Sequence, residues 1–535
     1  MASSHWQGHR SATVSHIDLA DRPGRRLLAA ADALLNRLYG SRYNPLYQSG
    51  TIAVVLLLVL LATGLWLVLF YRIGAPWASV GRITADPWVG RWARGVHRYA
   101  SDGAMVAVLV HAARMAVQRR TWGPRALAWA SGLVLVGLLL ICGITGFVLV
   151  WDGFGRALAV EGARILDALP ILSEPVSRAF MGERPVPGTF FFLTLFVHLA
   201  VPLGMGAVLW LHVSRLARPT LLPPRRLTWT LVALLVAAAV AAPLSMDAEG
   251  TAFALPSRIT LDWLFGGWLP VTRRLAPWAA WLAGAVGAVL LFLVPRWTRP
   301  AQGTRPPSVV DEEICTGCWQ CSLDCPYDAI TMLPRADGRA DVVARVDPDR
   351  CVSCGICAGS CAPMGVGPPG RNGRDQLERV RAFLADPARR PGEVVAIACD
   401  HGAGMLAPVL RREGAVAYPI DCAGNLHTSV VELLVRGGMG VLVLPCHPRD
   451  CRNREGPRWL AERIYAGREA ELQARVDRRR VEVVHAGAHD DETVTAAVHR
   501  FRAALALLDR PAAGTPPEAD LVCERPPAPL RRAKR

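Results

Sequence analysis

Six apolar runs, at roughly 50–71, 98–118, 127–150, 189–215, 228–245 and 275–295, constrain this chain more than any other feature. A segment of about 20 apolar residues spans a hydrocarbon core about 30 Å thick. Backbone in lipid must satisfy its own hydrogen bonds, so each run is expected as a membrane helix. Arginine clusters fall on alternate connections, in "RRLLAAADALLNRLYGSR", "QRRTWGPR", "RLARPTLLPPRR" and "PRWTRPAQGTR". The positive-inside rule then puts both termini in the cytoplasm of a bacterial inner-membrane protein and the 72–97, 151–188 and 246–274 loops outside. The net charge of +16 follows from this topology and does not call for a nucleic-acid partner. No cleavable signal is visible, and Arg25-Arg26 lacks the segments a twin-arginine signal needs.

Residues 1–42 read as a cytoplasmic segment, disordered to about 25 and amphipathic over 26–40. Residues 43–295 form the membrane part and 296–310 a Pro/Arg linker. Soluble composition follows, with a second polar linker at 369–392 and a disordered basic tail at 511–535.

Ionisable groups inside a bilayer are costly and mark function. His97 and His111 stand 14 residues apart on one run, and His198 and His212 are also 14 apart on a later one. At 100° and 1.5 Å per residue, each pair shares a face and is separated by roughly 21 Å. Both runs point from the outer side to the cytoplasm, so together they can form two bis-histidine sites, one near each surface. Neutral imidazole is an axial ligand for haem iron. Gly50 and Gly64, and Gly132 and Gly146, repeat the same 14-residue period on two further runs, where a missing side chain lets a macrocycle approach the backbone. Arg94 and Arg114 lie one turn beyond His97 and His111, placed to clamp haem propionates.

Residues 43–215 resemble the haem-binding half of cytochrome b from quinol-oxidising complexes, in "NPLYQSG", "RGVH", "HAAR", "PRALAWASG", "GITGFVLVWD" and "HLAVP"; residues 228–270 resemble the start of its second half. The resemblance implies that His97 pairs with His198 on the outer side and His111 with His212 on the cytoplasmic side. It further implies two b haems in series, quinone chemistry and a homodimer or larger complex. The sequence departs from the family at the outer quinone motif, where "LDWL" places Asp262 at the position of a glutamate. Glu161 in "AVEGA" replaces an aromatic, and Ala217 stands where a histidine is expected. Glu161 and Asp262 are the candidate catalytic proton acceptors; both also read as ordinary solvated loop carboxylates.

Twelve of the 14 cysteines lie between 315 and 451. Such clustering on a long soluble tail points to metal or iron–sulfur ligation in a reducing compartment and not to disulfides. Cys142 and Cys523 stand apart and are expected to be non-ligands. "CTGCWQCSLDCP" and "CVSCGICAGSCAP" are both CxxCxxCxxxC. Three close thiolates hold one cubane while the fourth reaches the neighbouring one. Cys315, Cys318, Cys321 and Cys361 are thus assigned to one [4Fe–4S] cluster, and Cys351, Cys354, Cys357 and Cys325 to a second, within residues 311–368. This stretch resembles a bacterial two-cluster ferredoxin.

In residues 393–510, "EVVAIAC", "GAVAYPIDC" and "GMGVLVLPC" read as buried strands ending in cysteine, within a small α/β domain. "DCAGN" and "VLVLPCHPRDC" resemble the iron–sulfur delta subunit of methyl-viologen-reducing hydrogenases. That resemblance implies a [2Fe–2S] cluster on Cys399, Cys422, Cys446 and Cys451 and a flavin/iron–sulfur partner like heterodisulfide reductase. Zinc or an empty site is the rival reading, with His427 and His447 as further possible ligands.

The fold expected is a membrane all-α protein: a six-helix bundle with a cytochrome b four-helix haem core, then a ferredoxin-like module and a small α/β iron–sulfur domain. The expected function is quinone-linked electron transfer from the membrane, through haems and clusters, to a soluble partner. Two alternatives are an anchor and relay without its own quinone site, and an outer-side exit to a periplasmic carrier.

Overall fold

The computed structural model describes residues 23–169, 174–180, 186–214, 220–250, 260–298, 305–337, 339 and 341–509. The expectations of disorder before residue 23 and over 511–535, Cys523, Ala217 and residues 299–304 of the 296–310 linker lie outside these.

An amphipathic helix α1 (Pro23–Tyr39) precedes the membrane part. The helices that follow include α2 (Pro45–Phe70), α3 (Gly90–Val117), α4 (Ala126–Val150), the shorter α5 (Gly153–Leu166), α6 (Gly188–Ser214), α7 (Arg225–Ala241) and α8 (Pro277–Thr298). Helix α2 begins with Pro45, whose fixed φ suits the first helical position. Asn44 caps it by accepting from the Leu46 N–H at 2.9 Å.

Among the described residues, five helices are long and apolar enough to cross a membrane: α2, α3, α4, α6 and α8. The sixth expected crossing, 228–245, is a helix of 17 residues, α7, about 26 Å long at 1.5 Å per residue. It stops early because Ala242 precedes Pro243, and the residue before a proline is driven out of the helical region; Ala242 has φ −128° and ψ 72°. Helix α2 packs along α3, and α4 along α6, around buried Leu56, Ala100, Ala104, Leu139, Met205 and Phe265.

Beyond the membrane helices come two short antiparallel pairs. Strand β1 (Val309–Val310) pairs with β4 (Val366–Gly367), and β2 (Ile330–Pro334) with β3 (Val342–Val346). A four-stranded parallel sheet follows, ordered β6-β5-β7-β8, from β5 (Val394–Cys399), β6 (Ala415–Ile420), β7 (Gly440–Leu444) and β8 (Val481–Val483). The three cysteine-tipped strands appear where the sequence places them, and β8 is an addition. Strands β5 and β7 are buried throughout, as parallel strands covered on both faces should be. One face packs on Val430, Leu434, Leu460 and Ile464, the other on Leu410, Val494, Val498 and Phe501.

Candidate redox-cofactor sites

The four intramembrane histidines fall on α3 and α6, the four periodic glycines on α2 and α4, and the packing brings each histidine against one glycine. A Cβ built on Gly64 would stand 3.3 Å from His97 Cε1, on Gly50 3.1 Å from His111, on Gly132 3.3 Å from His212, and on Gly146 3.1 Å from His198. The His97 and His198 rings face each other with centroids 6.5 Å apart. Rings at that separation leave room between them for one metal centre that both imidazoles would hold, at metal–nitrogen distances of about 2 Å. The pair therefore fits one metal centre between them. His111 and His212 stand against Gly50 and Gly132, one 14-residue period along the same helices.

A second set of residues was missed in the sequence. Each glycine is preceded by a hydroxyl residue, and that hydroxyl meets the same histidine at Nδ1: Thr63 with His97 at 2.9 Å, Ser49 with His111 at 3.5 Å, Ser131 with His212 at 3.1 Å and Thr145 with His198 at 3.0 Å. The hydroxyls donate to carbonyls one turn back, Val59, Leu46, Leu127 and Ile141. Their hydrogens are thus spent, and toward the histidine they can only accept. Nδ1 then carries the proton and Nε2 presents a lone pair, the arrangement metal-binding histidines need. At His198 the Cys142 carbonyl, which can only accept, also lies 3.0 Å from Nδ1. The Cys142 thiol, expected to be a non-ligand, sits 3.7 Å from the same nitrogen. The signal was present in the sequence as four Ser-Gly or Thr-Gly dipeptides.

The two arginines have partners within the chain. Arg114, expected to hold a propionate, is tied to carboxylates of the chain itself: Asp32 of α1 at 2.7 and 3.0 Å and Asp450 at 2.8 Å. Its side chain is 3% exposed. Distant segments supply this charge balance, so the local sequence could not reveal it. Arg94 donates to Thr84 Oγ1 at 2.7 Å.

The two candidate carboxylates are also engaged. Asp262 pairs with Arg98 and caps a short helix by accepting from the Phe265 N–H at 2.7 Å. Glu161 accepts from Arg164 at 2.7 and 3.0 Å. Burial acts to raise the Glu161 pKa, but the Arg164 hydrogen bonds outweigh it and hold the carboxyl below its ordinary value.

Eight thiols surround two cavities. Cys315, Cys318, Cys321 and Cys361 line one; Cys325, Cys351, Cys354 and Cys357 line the other. All four CxxC turns use left-handed backbone, two at glycines, Gly317 (φ 68°) and Gly355 (φ 76°), and two at Trp319 (φ 68°) and Ser353 (φ 57°); glycine adopts that conformation without strain. Backbone N–H groups of Ala329 and Gly365 approach the Cys325 and Cys361 sulfurs at 3.3 and 3.2 Å. Burial pushes the Cys357 thiol up to about 12 and that of Cys321 upward as well; thiols in such places become thiolates only beside a cationic centre. Among the described residues, no three His, Cys, Asp or Glu side chains converge on a single ion-sized point. Thiols ringing a cavity fit a cubane better than one zinc ion.

The third group lies at the carboxyl ends of the parallel strands, where α/β sheets bind ligands. Cys399 ends β5, and Cys422 and Cys446 follow β6 and β7 by two residues. All four cysteines are buried. The thiols associate in twos, Cys399 with Cys446 and Cys422 with Cys451, and the bond with Cys451 draws the Cys422 thiol down to about 7. Gly402 and Gly456 leave room beside the Cys446 and Cys422 sulfurs, where a Cβ would stand at 2.9 and 2.7 Å. His427 Nε2 lies 3.2 Å from the Cys361 carbonyl and its Nδ1 accepts from Ser429 N–H. His447 Nε2 lies 2.5 Å from Asp490. Both histidines are thus engaged within the protein.

Three family models match in order along the chain: cytochrome b/b6 over residues 35–219, the 4Fe-4S dicluster domain over 314–365, and the delta subunit of methyl-viologen-reducing hydrogenase over 412–509. Among solved structures, a chain of a hyperthermophilic respiratory complex III is 20% identical, with 47% of this chain and 75% of that one covered and a TM-score of 0.36. The protein is an integral membrane protein with a cytochrome b segment, which implies haem, and a dicluster segment, which implies iron–sulfur clusters. It is a membrane electron-transfer subunit.

Proposed function

We propose that the chain conducts single electrons between a quinone pool and a cytoplasmic iron–sulfur partner resembling heterodisulfide reductase. The observation that carries this reading is the stacking of centres: two facing histidine sites on α3 and α6, with twelve clustered cysteines joined to the cytoplasmic end of α3 through Arg114 and Asp450. His97 with His198 and His111 with His212 would hold two b haems. The eight cavity-lining cysteines would hold two [4Fe–4S] clusters. The paired thiols of Cys399 with Cys446 and Cys422 with Cys451 suit the two irons of a [2Fe–2S] cluster. These groups supply the one-electron chemistry; the protein supplies placement and tuning. The hydroxyls fix the histidine tautomers, the glycines admit the macrocycles, and the backbone N–H groups tune the sulfurs.

In this reading α7 completes six crossings, with residues 43–295 as the membrane domain and 311–368 and 393–510 as two cytoplasmic modules packed on each other. Both termini are cytoplasmic, and the chain works in a homodimer or larger assembly. Purified protein in lipid, mixed with a short-chain quinol, is expected to show b-haem reduction that slows in Asp262→Asn. Absence of any reduction would refute the quinone site.

One observation favours a second reading, a relay without its own quinone site. Asp262 and Glu161 are each already paired with an arginine of the chain, Arg98 and Arg164.

A further inference from the structure

The sequence places the Cys399/Cys422/Cys446/Cys451 group last along the chain, and a linear wire would make it the exit to the soluble partner. The contacts give a different order. The 446–451 loop lies against the cytoplasmic end of the haem helices. Asp450, next to Cys451, accepts from Arg114 at 2.8 Å and from Gln118 at 3.1 Å, and Arg120 donates to its carbonyl. Arg114 is one helical turn from His111. On the neighbouring helix, Tyr47 lies three residues before Gly50, which backs the same histidine, and its ring stands 6.2 Å from that of His447, next to Cys446.

The opposite side of this group meets the second cavity. Asn425 donates to the Gly355 carbonyl at 2.9 Å. Arg371 bridges Asp421 and Ser353 at 2.6 and 2.7 Å. Gly424, two residues after Cys422, packs on Ile356, two residues after Cys354: a Cβ there would stand 2.8 Å from Ile356 Cγ1. Cys321 of one cavity and Cys357 of the other lie in a single buried cluster. At the far end Cys315 and Cys318 are half-buried, beside Trp319 at 50% and Leu323 at 48% exposure, whereas Cys399, Cys422, Cys446 and Cys451 are all below 7%.

We infer that the Cys399/Cys422/Cys446/Cys451 group is the internal relay directly beneath the His111–His212 site, and that the Cys315/Cys318/Cys321/Cys361 group is the terminal centre where the soluble partner exchanges electrons. This rests on the cofactor assignment proposed above. Each step moves one electron between adjacent centres, one oxidised and the other reduced by one, with no bond made or broken. The partner then docks over Trp319 and Leu323, and the module that ends the sequence is buried in the middle of the path.

The test uses the full chain in lipid nanodiscs, reduced with dithionite and observed by electron paramagnetic resonance. Spin coupling should broaden the signal of the Cys422 group. That broadening should disappear in Cys354→Ala or Cys351→Ala and persist in Cys318→Ala, with b-haem spectra retained as the check of folding. Loss of broadening in Cys318→Ala alone would overturn the order. A second measurement follows b-haem reduction when a reduced soluble ferredoxin, too large to reach the haems, is the only donor. Cys318→Ala and Cys422→Ala should each abolish it. Normal reduction in Cys318→Ala would make the Cys422 group the entry point, and normal reduction in Cys422→Ala would put a cubane directly below the haem; either overturns the proposal. If Cys422→Ala leaves iron content and spectrum unchanged, no cluster was held there, and the cofactor assignment falls together with the order built on it.

Discussion

Helix α4 carries a matched pair of glycines that isolates the cost of filling a haem site. A Cβ on Gly146 would stand 3.1 Å from His198 Cε1, whereas one on Gly137 would meet nothing within 4 Å. Replacing either by alanine gains about 1 kcal/mol of helix propensity. At Gly146 the added methyl also overpacks a filled site, at a cost of about 1–3 kcal/mol. Propensity cancels in the difference between Gly146→Ala and Gly137→Ala, so that difference reports the overpacking alone. It should appear as weakened haem retention, roughly tenfold for each 1.4 kcal/mol. The assay is the b-haem content of each purified variant, with the absorbance of the outer haem followed through mild detergent washing. Gly137→Ala should match the wild type, and Gly146→Ala should lose outer haem first. Equal retention in both variants, extended to Gly146→Val, would refute the assignment of Gly146 to a haem-facing position.

Arg114→Ala should destabilise the protein by about 3–5 kcal/mol, since it leaves two carboxylates, Asp32 and Asp450, facing each other beneath the bundle; thermal unfolding of the full chain would show it as a lowered midpoint. Thr145→Val keeps shape but removes one of the two acceptors at His198 Nδ1, so the outer haem should persist with a shifted midpoint potential while the inner one is unchanged in a redox titration. The Glu161 carboxyl has a folded-state pKa below its unfolded value. The Glu161–Arg164 pair therefore contributes stability that is full above the unfolded pKa of about 4.3 and is lost as pH falls through the folded pKa. The stability gap between wild type and Glu161→Gln should be constant from pH 7 to pH 5 and shrink below pH 4; a gap that grows on acidification would contradict the pairing.

Periodic features were legible in the sequence because they repeat within single elements. The 14-residue spacing of His97 and His111 is a property of one helix, and the CxxC turns are local. The strand ends at Cys399, Cys422 and Cys446 were readable for the same reason. The hydroxyls of Ser49, Thr63, Ser131 and Thr145 were equally local, yet a Ser or Thr in a membrane helix commonly bonds its own backbone. Only the packing of α2 on α3 and α4 on α6 reveals the second bond to histidine. The Arg114–Asp450 contact joins residues 336 apart, and no local pattern announces it. That contact also makes Arg114 a joint between the membrane helices and the cysteine-rich module. Helix α7 fell short of its expected length through one local rule, the effect of Pro243 on Ala242.

The central claim is that two facing histidine sites hold two haems in series. The direct measurement is the b-haem content and low-temperature optical spectrum of the wild type, His97→Ala and His212→Ala. The account predicts two haems in the wild type and one in each variant, with a different component of the α-band missing in each. Retention of both haems in either variant, or loss of the same component in both, would contradict it.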